Sequence, residues 1–362
     1  MVRAGLVPPV WKTLVSRAQK QVIDAPIVTV TAKTSPSPSG DSHDYVSWAR
    51  YRWAGDTSAK TQYKDGEVNT EQLQQYTDDR AWWNFEKVVS IGTLCWILSD
   101  DPKYSKAVAA HVRAWMITPE TRMNPNFLYS QWSPDRPLIH TASGMVDLNS
   151  SFQLWEMMPV VLTIPDFSDS ERSSIRAWMS AFYSWCTTNP SAVKESKTDN
   201  IHAVYWHVTV ACIADALGRP DDVRKHLSNA KSLIDNQILP DGKMPKELAR
   251  PDALMYTCFA LRGWSILAQL GVKYDVDLWG YQSPNGGSIR VALDYAKPLL
   301  LGKVVINSKP IRPGFWYEPN QAYRAASTAY GKDYADFADQ LNKLYPESVQ
   351  WQSYFVAPLL GQ

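Results

Sequence analysis

Cysteine is scarce in this sequence, and the spacing of the few cysteines excludes two kinds of scaffold. The four residues, Cys95, Cys186, Cys212 and Cys258, form no closely spaced pairs, and each lies within an apolar, helix-like run. Zinc sites and disulfide frameworks show characteristic spacings, whereas isolated thiols in apolar runs are typical of a packed core. The sequence therefore predicts four buried thiols and no metal site, and no cofactor is expected.

A charge excess of either sign is also missing, as are long hydrophobic runs. The chain has 37 lysines and arginines against 36 aspartates and glutamates, whereas proteins that bind nucleic acid or anionic membranes usually carry a basic excess. No stretch approaches the roughly 18 uninterrupted apolar residues of a membrane span. The opening residues, MVRAGLVPPVW, contain one early arginine and no apolar segment typical of a signal peptide. Neither nucleic acid nor a membrane is therefore predicted as a partner.

Aromatic side chains, by contrast, are abundant, with 16 tryptophans and 18 tyrosines. Some of these rings will belong to the core. Amphipathic rings in such numbers also suit a long groove, in which flat sugar faces stack against them. The composition thus favours a protein that binds carbohydrate.

Helical periodicity dominates the chain, and short turns separate the apolar runs. Runs of this kind cover 82–98, 104–116, 146–162, 171–186, 201–217, 221–239, 253–270, 288–301 and 334–345. Many have wide apolar faces, as expected for helices packed on two sides. The pattern predicts an all-α fold, an incomplete α/α toroid of antiparallel helix pairs, with residues 1–362 forming a single domain. One short strand is expected within VIDAPIVTVTAK, at 22–33.

Two long segments without helical periodicity, at 34–76 and 117–143, are rich in aromatic residues. Loops of this length are usually functional or disordered, and disordered segments are poor in aromatics. We therefore expect both segments to be ordered walls of a substrate groove. The residues predicted to bind substrate there are His43, Tyr45, Tyr51, Trp53, Asn126, Tyr129 and Gln131.

Polar residues crowd the start of an otherwise apolar helix in SKTDNIHAVYWHVTVA, at 196–211. Asn200, His202 and Tyr205 lie in its first turns. Taken singly, each has an ordinary structural interpretation, since an asparagine before a helix is a common N-cap and a tyrosine on an apolar helix is usually core. A second polar group, Glu247, Arg250 and Tyr256, falls in DGKMPKELARPDALMY, at 241–256.

The two polar groups contain asparagine, histidine, arginine and tyrosine but no close pair of carboxylates, and no metal is expected. One reaction that uses such residues is the removal of a proton from a carbon next to a carboxylate. A uronic acid sugar carries an acidic C5–H next to its carboxylate, and fixed hydrogen-bond donors must neutralise that carboxylate before the proton leaves. A base then takes the proton, and an acid protonates the leaving oxygen. A tyrosine can do both when positive charge lowers its pKa from the usual value of about 10.

The second segment resembles the D-G-x-x-P-x-E-L-A-R…Y signature of the alginate lyase family of polysaccharide lyases. HAVYWHVTVACIADALG resembles the helix that follows the Asn-Asn-His motif of that family, and DSHDYVSWARYRW, KDGEVN and TRMNPNFLYSQ are similar to other family segments. These matches keep the family order over residues 40–300. The resemblance implies an incomplete α/α toroid that cleaves β-1,4-linked uronate polymers by β-elimination. Carried onto this chain, it implies Tyr256, His202, Arg250 and Asn200 as catalytic residues, with Tyr205 and Glu247 binding substrate.

One departure from the family pattern concerns the residue before the histidine. The family has asparagine there, whereas this chain has Ile201, whose side chain cannot donate a hydrogen bond. The donor that neutralises the uronate carboxylate is therefore expected elsewhere, at Gln131, Asn126 or a histidine. Substrate preference depends on this replacement.

The sequence thus predicts a lyase whose partner is an acidic polysaccharide, mannuronate-rich alginate or glucuronan. A monomer is expected, and the substrate class implies that the protein is secreted. One alternative is a glycoside hydrolase, which needs two carboxylates at a defined separation; Asp147, Asp241 and Glu247 are available, but no motif pairs them. The other alternative is a polyuronate-binding protein without catalytic activity.

Overall fold

The structure, a computed structural model, describes residues 14–54, 60–135, 152–306 and 319–344. These residues form two compact units. The first lies within Met1–Lys64, Val68–Glu195 and Cys212–Gly218, and the second within Asp65–Glu67, Ser196–Ala211 and Arg219–Gln362. The prediction of one domain over 1–362 stays a prediction.

Helices account for most of the described chain, as the periodicity predicts. In chain order they are α1 (Thr70–Gln75), α2 (Asp78–Ser99), α3 (Pro102–Val112), α4 (Phe152–Val161), α5 (Asp169–Thr188), α6 (Pro190–Glu195), α7 (Ile201–Ala216), α8 (Pro220–Gln237), α9 (Pro245–Leu248), α10 (Ala253–Lys273), α11 (Ile289–Leu300), α12 (Pro319–Tyr330) and α13 (Lys332–Leu344). Single π-helical turns occupy Gln19–Ile23 and Arg113–Ile117. The start of the helix predicted at 146–162 lies outside the described residues.

Helix starts are set by local side chains. Ser168 accepts a hydrogen bond from the N–H of Glu171, and the Glu171 carboxylate accepts one from the N–H of Ser168, which forms a capping box at the start of α5. Asp101 caps α3 with Pro102 as the first helical residue, where its missing N–H costs nothing. These short-range effects explain why the sequence locates the helix boundaries within a few residues.

In the first unit, α2 packs against α3 and α4. Its core is largely aromatic: the rings of Trp82 and Trp115 have centroids 5.3 Å apart, and those of Trp155 and Phe182 are 5.4 Å apart. All four rings are buried or nearly so. Many of the tryptophans that favoured a sugar-binding groove therefore serve as core.

Short strands replace part of the two aromatic loops. Strand β1 (Val46–Trp48) pairs in parallel with β4 (Tyr129–Trp132), and β2 (Arg52–Ala54) forms an antiparallel hairpin with β3 (Thr61–Tyr63). Both loops are thus ordered over the described residues. The strand expected at 22–33 is wrong, because Val30–Ala32 is a 3₁₀ turn and Pro26 has no N–H to offer a neighbouring strand.

In the second unit, α10 is the central helix and packs against α8, α11 and α12, and α12 packs against α13. Most of its side chains are buried. A Cβ atom at Gly263 would lie 2.8 Å from the Val204 side chain, so α7 can approach α10 closely only because this residue is glycine. This close approach packs the first turns of α7 against the middle of α10.

The prediction of four buried thiols is confirmed, since all four cysteines are buried and none forms a disulfide. Among the described helices, none has the length and apolar character needed to span a membrane.

Candidate active site

Asn200 shapes the polar start of α7 in the second unit. Its side-chain oxygen accepts a hydrogen bond from the N–H of His202, with an N–O distance of 3.0 Å. Its backbone carbonyl accepts a hydrogen bond of 3.1 Å from the Gln237 amide. The side-chain oxygen is therefore used as a helix cap, as the ordinary interpretation of this asparagine expects.

Ile201 and Glu247 meet directly beneath this helix start. The N–H of Ile201 donates to Oε1 of Glu247 at 2.8 Å, and both residues are only 2 % exposed. Burial raises the pKa of the Glu247 carboxyl to about 7, although the hydrogen bond from Ile201 and the charges of His202 and Arg250 act in the opposite direction. Oε2 of Glu247 has no hydrogen-bond partner among the described residues.

This burial corrects the prediction that Glu247 binds substrate. A carboxyl so completely covered does not reach a polymer. It instead ties the turn that carries Arg250 to the start of the helix that carries His202.

Arg250 and Tyr256 are in direct contact within this unit. Tyr256 lies in the first turn of α10, whose N-cap Asp252 accepts a hydrogen bond from the N–H of Met255. Nη2 of Arg250 donates to the Tyr256 hydroxyl at 2.7 Å, and the guanidinium carbon lies 3.9 Å from the centroid of the ring. A permanent cation thus contacts both the oxygen and the face of this tyrosine.

Asp65 holds Arg250 from the other side. Its Oδ2 accepts a hydrogen bond of 3.1 Å from Nε, and its Oδ1 accepts one of 2.9 Å from Nη2. The sequence contains Asp65 within KDGEVN, but it was not predicted as a functional residue. The signal was weak, because an aspartate before a glycine usually indicates only a turn.

The second unit therefore brings together His202, Glu247, Arg250 and Tyr256, with Asp65 as an additional member. His202 and Arg250 are both close enough to Glu247 for their charges to lower its pKa. We call these five residues the tyrosine cluster. Arg250 contacts Tyr256, and His202 acts on Glu247, whereas the convergence of His202 with Tyr256 in one cleft and the catalytic roles of these residues stay predictions.

Several residues predicted to bind substrate are instead part of the core. Tyr205 is 0 % exposed, and its hydroxyl donates to the backbone carbonyl of Phe259 at 2.9 Å. In the first unit Tyr45 is equally buried, with its ring centroid 4.3 Å from that of Phe127. Tyr129 is largely buried as well, because it belongs to strand β4. Packing covers the rings of Tyr205 and Tyr45 completely, so substrate does not reach them, whereas substrate binding by Tyr129 stays a prediction.

Gln131 is also buried, and its side chain contacts backbone. Its side-chain oxygen accepts a hydrogen bond from the N–H of Arg50 at 3.1 Å. Its backbone has a φ of +53°, in the left-handed region. The oxygen of the Gln131 amide is thus occupied, and the prediction that Gln131 neutralises a substrate carboxylate stays a prediction.

The other predicted residues of the first unit are partly exposed. His43 contacts the backbone carbonyl of Arg122 through Nδ1 at 2.7 Å, and Asn126 accepts a hydrogen bond of 3.1 Å from the N–H of Leu128. Trp53 lies beneath the Lys64 ammonium, which is 5.1 Å from the ring centroid. The ring of Tyr51 packs edge-on against that of Tyr63. Substrate binding by His43, Tyr51, Trp53 and Asn126 stays a prediction.

Comparisons with known proteins identify the family of the chain and its fold. The family model described as alginate lyase matches residues 29–305. The crystal structure of an alginate lyase from Bacteroides ovatus is 26 % identical, with a TM-score of 0.85 over 93 % of this chain and 90 % of that chain. No curated protein sequence matches.

A more distant likeness is to alginate lyase A1-III from Sphingomonas species A1. It is 16 % identical, with a TM-score of 0.55 over 91 % of this chain and 88 % of that chain. A histidine-to-alanine variant of A1-III in complex with a tetrasaccharide gives a TM-score of 0.56 at 16 % identity over the same shares of the two chains. These distant likenesses show the fold alone, and with the nearer one they confirm the expected all-α class of the incomplete α/α toroid.

Proposed function

The chain belongs to the alginate lyase family, and on that premise we propose that it cleaves a β-1,4-linked polyuronate, mannuronate-rich alginate or glucuronan, by β-elimination. The enzyme class itself, a polysaccharide lyase, follows from the family match and from the alginate lyase that shares the fold at 26 % identity. The polymer and the roles of single residues are the proposal.

The contact of Arg250 with Tyr256 carries this proposal. A hydrogen bond of 2.7 Å from a guanidinium favours the phenolate over the phenol. As phenolate, Tyr256 takes the C5 proton of the uronate. The electrons of the C5–H bond form the C4–C5 double bond, and the bond from C4 to the glycosidic oxygen breaks. The phenol that has formed then returns the proton to the leaving oxygen, so one residue serves as base and acid.

Neutralisation of the uronate carboxylate is the other requirement of the reaction. Ile201 is covered and directs its N–H to Glu247, so it offers no side-chain donor. We assign the neutralising role to protonated His202, supported by the positive charge of Arg250. Asn200 contributes by fixing the backbone of His202 through the cap described above.

Partly exposed rings of the first unit are proposed to bind sugars of the polymer. Tyr51 and Trp53 are both partly exposed, and the Lys64 ammonium lies 5.1 Å from the centroid of the Trp53 ring, a combination that suits a sugar ring bearing a carboxylate. We further propose that the acidic polymer is the partner of the protein, that the protein acts outside the cell as a monomer, and that residues 1–362 work as one domain without a cofactor.

The decisive experiment is a screen of alginate, polymannuronate, polyguluronate, glucuronan and hyaluronan for new ultraviolet absorbance. Elimination creates a conjugated unsaturated uronate, whereas hydrolysis does not. We expect absorbance to rise with polymannuronate or glucuronan. New reducing ends without absorbance would indicate a hydrolase, and binding without any product would indicate a non-catalytic protein.

The tyrosine mechanism is tested by Tyr256→Phe, which keeps the ring and removes the oxygen. General acid or base catalysis is worth about 10²–10⁴-fold, and we expect a loss near the upper end, with polymer binding retained. The matched control is Tyr281→Phe, which removes a hydroxyl that donates to Asp235 at 2.8 Å and not to the tyrosine cluster. Activity of Tyr256→Phe within a few-fold of the parent would contradict the mechanism.

A further inference from the structure

Asp65 reaches the tyrosine cluster from a turn far away in the sequence. It lies between β3 and α1 in the segment Lys64-Asp65-Gly66, and the turn depends on Gly66, whose φ is +79°. A positive φ of this kind is readily adopted only by glycine. The turn directs the carboxylate of Asp65 to the guanidinium of Arg250, 185 residues further along the chain.

The contact fixes both the position and the plane of the guanidinium. Two oxygens of Asp65 accept from two nitrogens of Arg250, at 3.1 Å and 2.9 Å. A guanidinium is planar, so a bidentate contact on one edge sets the direction of its remaining N–H groups. Nη2, which donates to Asp65, also donates to the Tyr256 hydroxyl. Nη2 of Arg250, which donates to the hydroxyl of Tyr256, is thus also held by Asp65.

The pair is more than an ordinary surface ion pair. The side chains of Arg250 and Asp65 are 19 % and 32 % exposed, so solvent and salt screen their contact less than they screen an exposed pair. The guanidinium also lies flat enough over Tyr256 to be 3.9 Å from the ring centroid. Both contacts with the tyrosine depend on one orientation of a long side chain that otherwise has many rotamers.

We propose that Asp65 is a positioning residue of the lyase, which acts through Arg250 to hold the guanidinium on the oxygen of Tyr256. This inference rests on the proposed function. Asp65 itself takes no proton from the substrate and does not bind it. Its loss leaves Arg250 free to adopt other rotamers, so a smaller fraction of enzyme–substrate complexes has Nη2 on the phenolate.

The test is a double-mutant cycle with Asp65→Ala, Arg250→Ala and the double variant, measured by ultraviolet absorbance on the best polymer of the screen. Misplacement of a catalytic group typically costs about 100-fold in rate. We expect Asp65→Ala to lower kcat by about 10- to 100-fold, with KM within about threefold of the parent. Asp65→Glu, which keeps the charge, should restore part of the loss.

The cycle distinguishes positioning from a general structural role. If Asp65 acts only through Arg250, the double variant is as active as Arg250→Ala alone, because the partner of Asp65 is already gone. Losses that multiply in the double variant would overturn the proposal, as would a rise in KM at unchanged kcat. The isosteric Asp65→Asn keeps the question open to measurement if Asp65→Ala does not fold; we expect a smaller fall in kcat, and a parental kcat would overturn the proposal.

A matched control is Asp339→Ala, which breaks another arginine–aspartate pair of the same unit, Arg324 with Asp339, and should keep the parental kcat. The parental protein separates the two hypotheses. If it makes no unsaturated product from any polymer, the proposed function fails and this inference fails with it. If it turns over and Asp65→Ala does so equally well, only the role of Asp65 is overturned.

Discussion

Two histidines on helix α7 show how burial separates a reactive group from a packed one. His202 lies at the helix start, is partly exposed, and its charge acts on the Glu247 carboxyl. His207 is buried next to His226, with ring centroids 5.8 Å apart. Desolvation lowers the pKa of His207 to about 3 and that of His226 to about 4. The same residue type is thus placed beside a carboxyl at one point of the helix and is held neutral at another.

The role of a histidine therefore cannot be assigned from its residue type and from the helix to which it belongs. The sequence of α7 offers two histidines in similar apolar company, HAVYWH. Nδ1 of His207 has no hydrogen-bond partner within the described part of the chain, and Trp206 packs edge-on against the ring. His207 therefore belongs to the core, and only His202 has the exposure and the charged neighbours that the proposed reaction needs.

The strongest way to break this comparison is to remove each ring in turn. We expect His202→Ala to lower the rate of elimination by about 10²–10³-fold, the range typical of the loss of one group that stabilises developing negative charge. His207→Leu, a control of similar volume, should leave kcat and KM close to the parental values, because the ring is covered. Initial rates of ultraviolet absorbance measure both. A folded His207→Leu protein as inactive as His202→Ala would refute the division.

The dependence of stability on pH gives a second, smaller difference that follows from the burial of His207. The folded pKa values of about 3 for His207 and about 4 for His226 lie below the ordinary 6.5. Below pH 6.5 these two histidines therefore bind more protons in the unfolded chain than in the folded chain, so their contribution to the free energy of unfolding falls as pH falls. It falls by about 1.4 kcal/mol per pH unit for each histidine, until the pH reaches its folded pKa. The charge of Asp222 raises the pKa of His226 and that of Lys225 lowers it. Together with burial they set the pH at which the contribution of His226 to this loss of stability ends.

Urea unfolding at pH 7 and pH 5 measures this loss. Between pH 7 and pH 5 the parental protein should lose more stability, or gain less, than His207→Leu, because one titrating histidine is gone in the variant. The raised pKa of Glu247 acts in the opposite direction and does so equally in both proteins. An equal dependence in both proteins would mean that His207 does not remain neutral in the folded state.

The smallest effect is expected when the hydroxyl oxygen is removed from Tyr205, and it can be compared with the same change at Tyr256. Tyr205→Phe removes a buried hydrogen bond to the carbonyl of Phe259, which should cost about 1 kcal/mol of stability. Its rate of elimination should match the parent, in contrast to Tyr256→Phe. Chemical denaturation gives the stability and ultraviolet absorbance the rate. A large loss of activity at unchanged stability would restore Tyr205 as a site residue.

Much of the helical structure was predictable, because helix starts and apolar periodicity are local properties. The run predicted at 201–217 is α7, Ile201–Ala216, and the run at 171–186 lies within α5. Helix α12 was missed. Its buried face consists largely of Ala322, Ala325 and Ala326, and such small residues give a weak hydrophobic period.

The aromatic residues of the predicted groove could not be sorted from the sequence. Tyr45 is fully buried whereas Tyr51 is partly exposed, although both stand in one aromatic segment. Burial of a ring depends on which neighbours the folded chain places on it. For Tyr45 that neighbour is Phe127, which comes from the other loop.

The resemblance of DGKMPKELARPDALMY to the family signature predicted Arg250 and Tyr256 as members of one site, and the two residues are in contact. Local rules of helix capping predict Asn200 as the cap of α7. They contain no information about Asp65, whose partner is 185 residues away. That contact, like the burial of Glu247 and Tyr205, exists only after distant segments have packed together, since a bidentate ion pair and a buried side chain both need atoms that the local sequence does not supply.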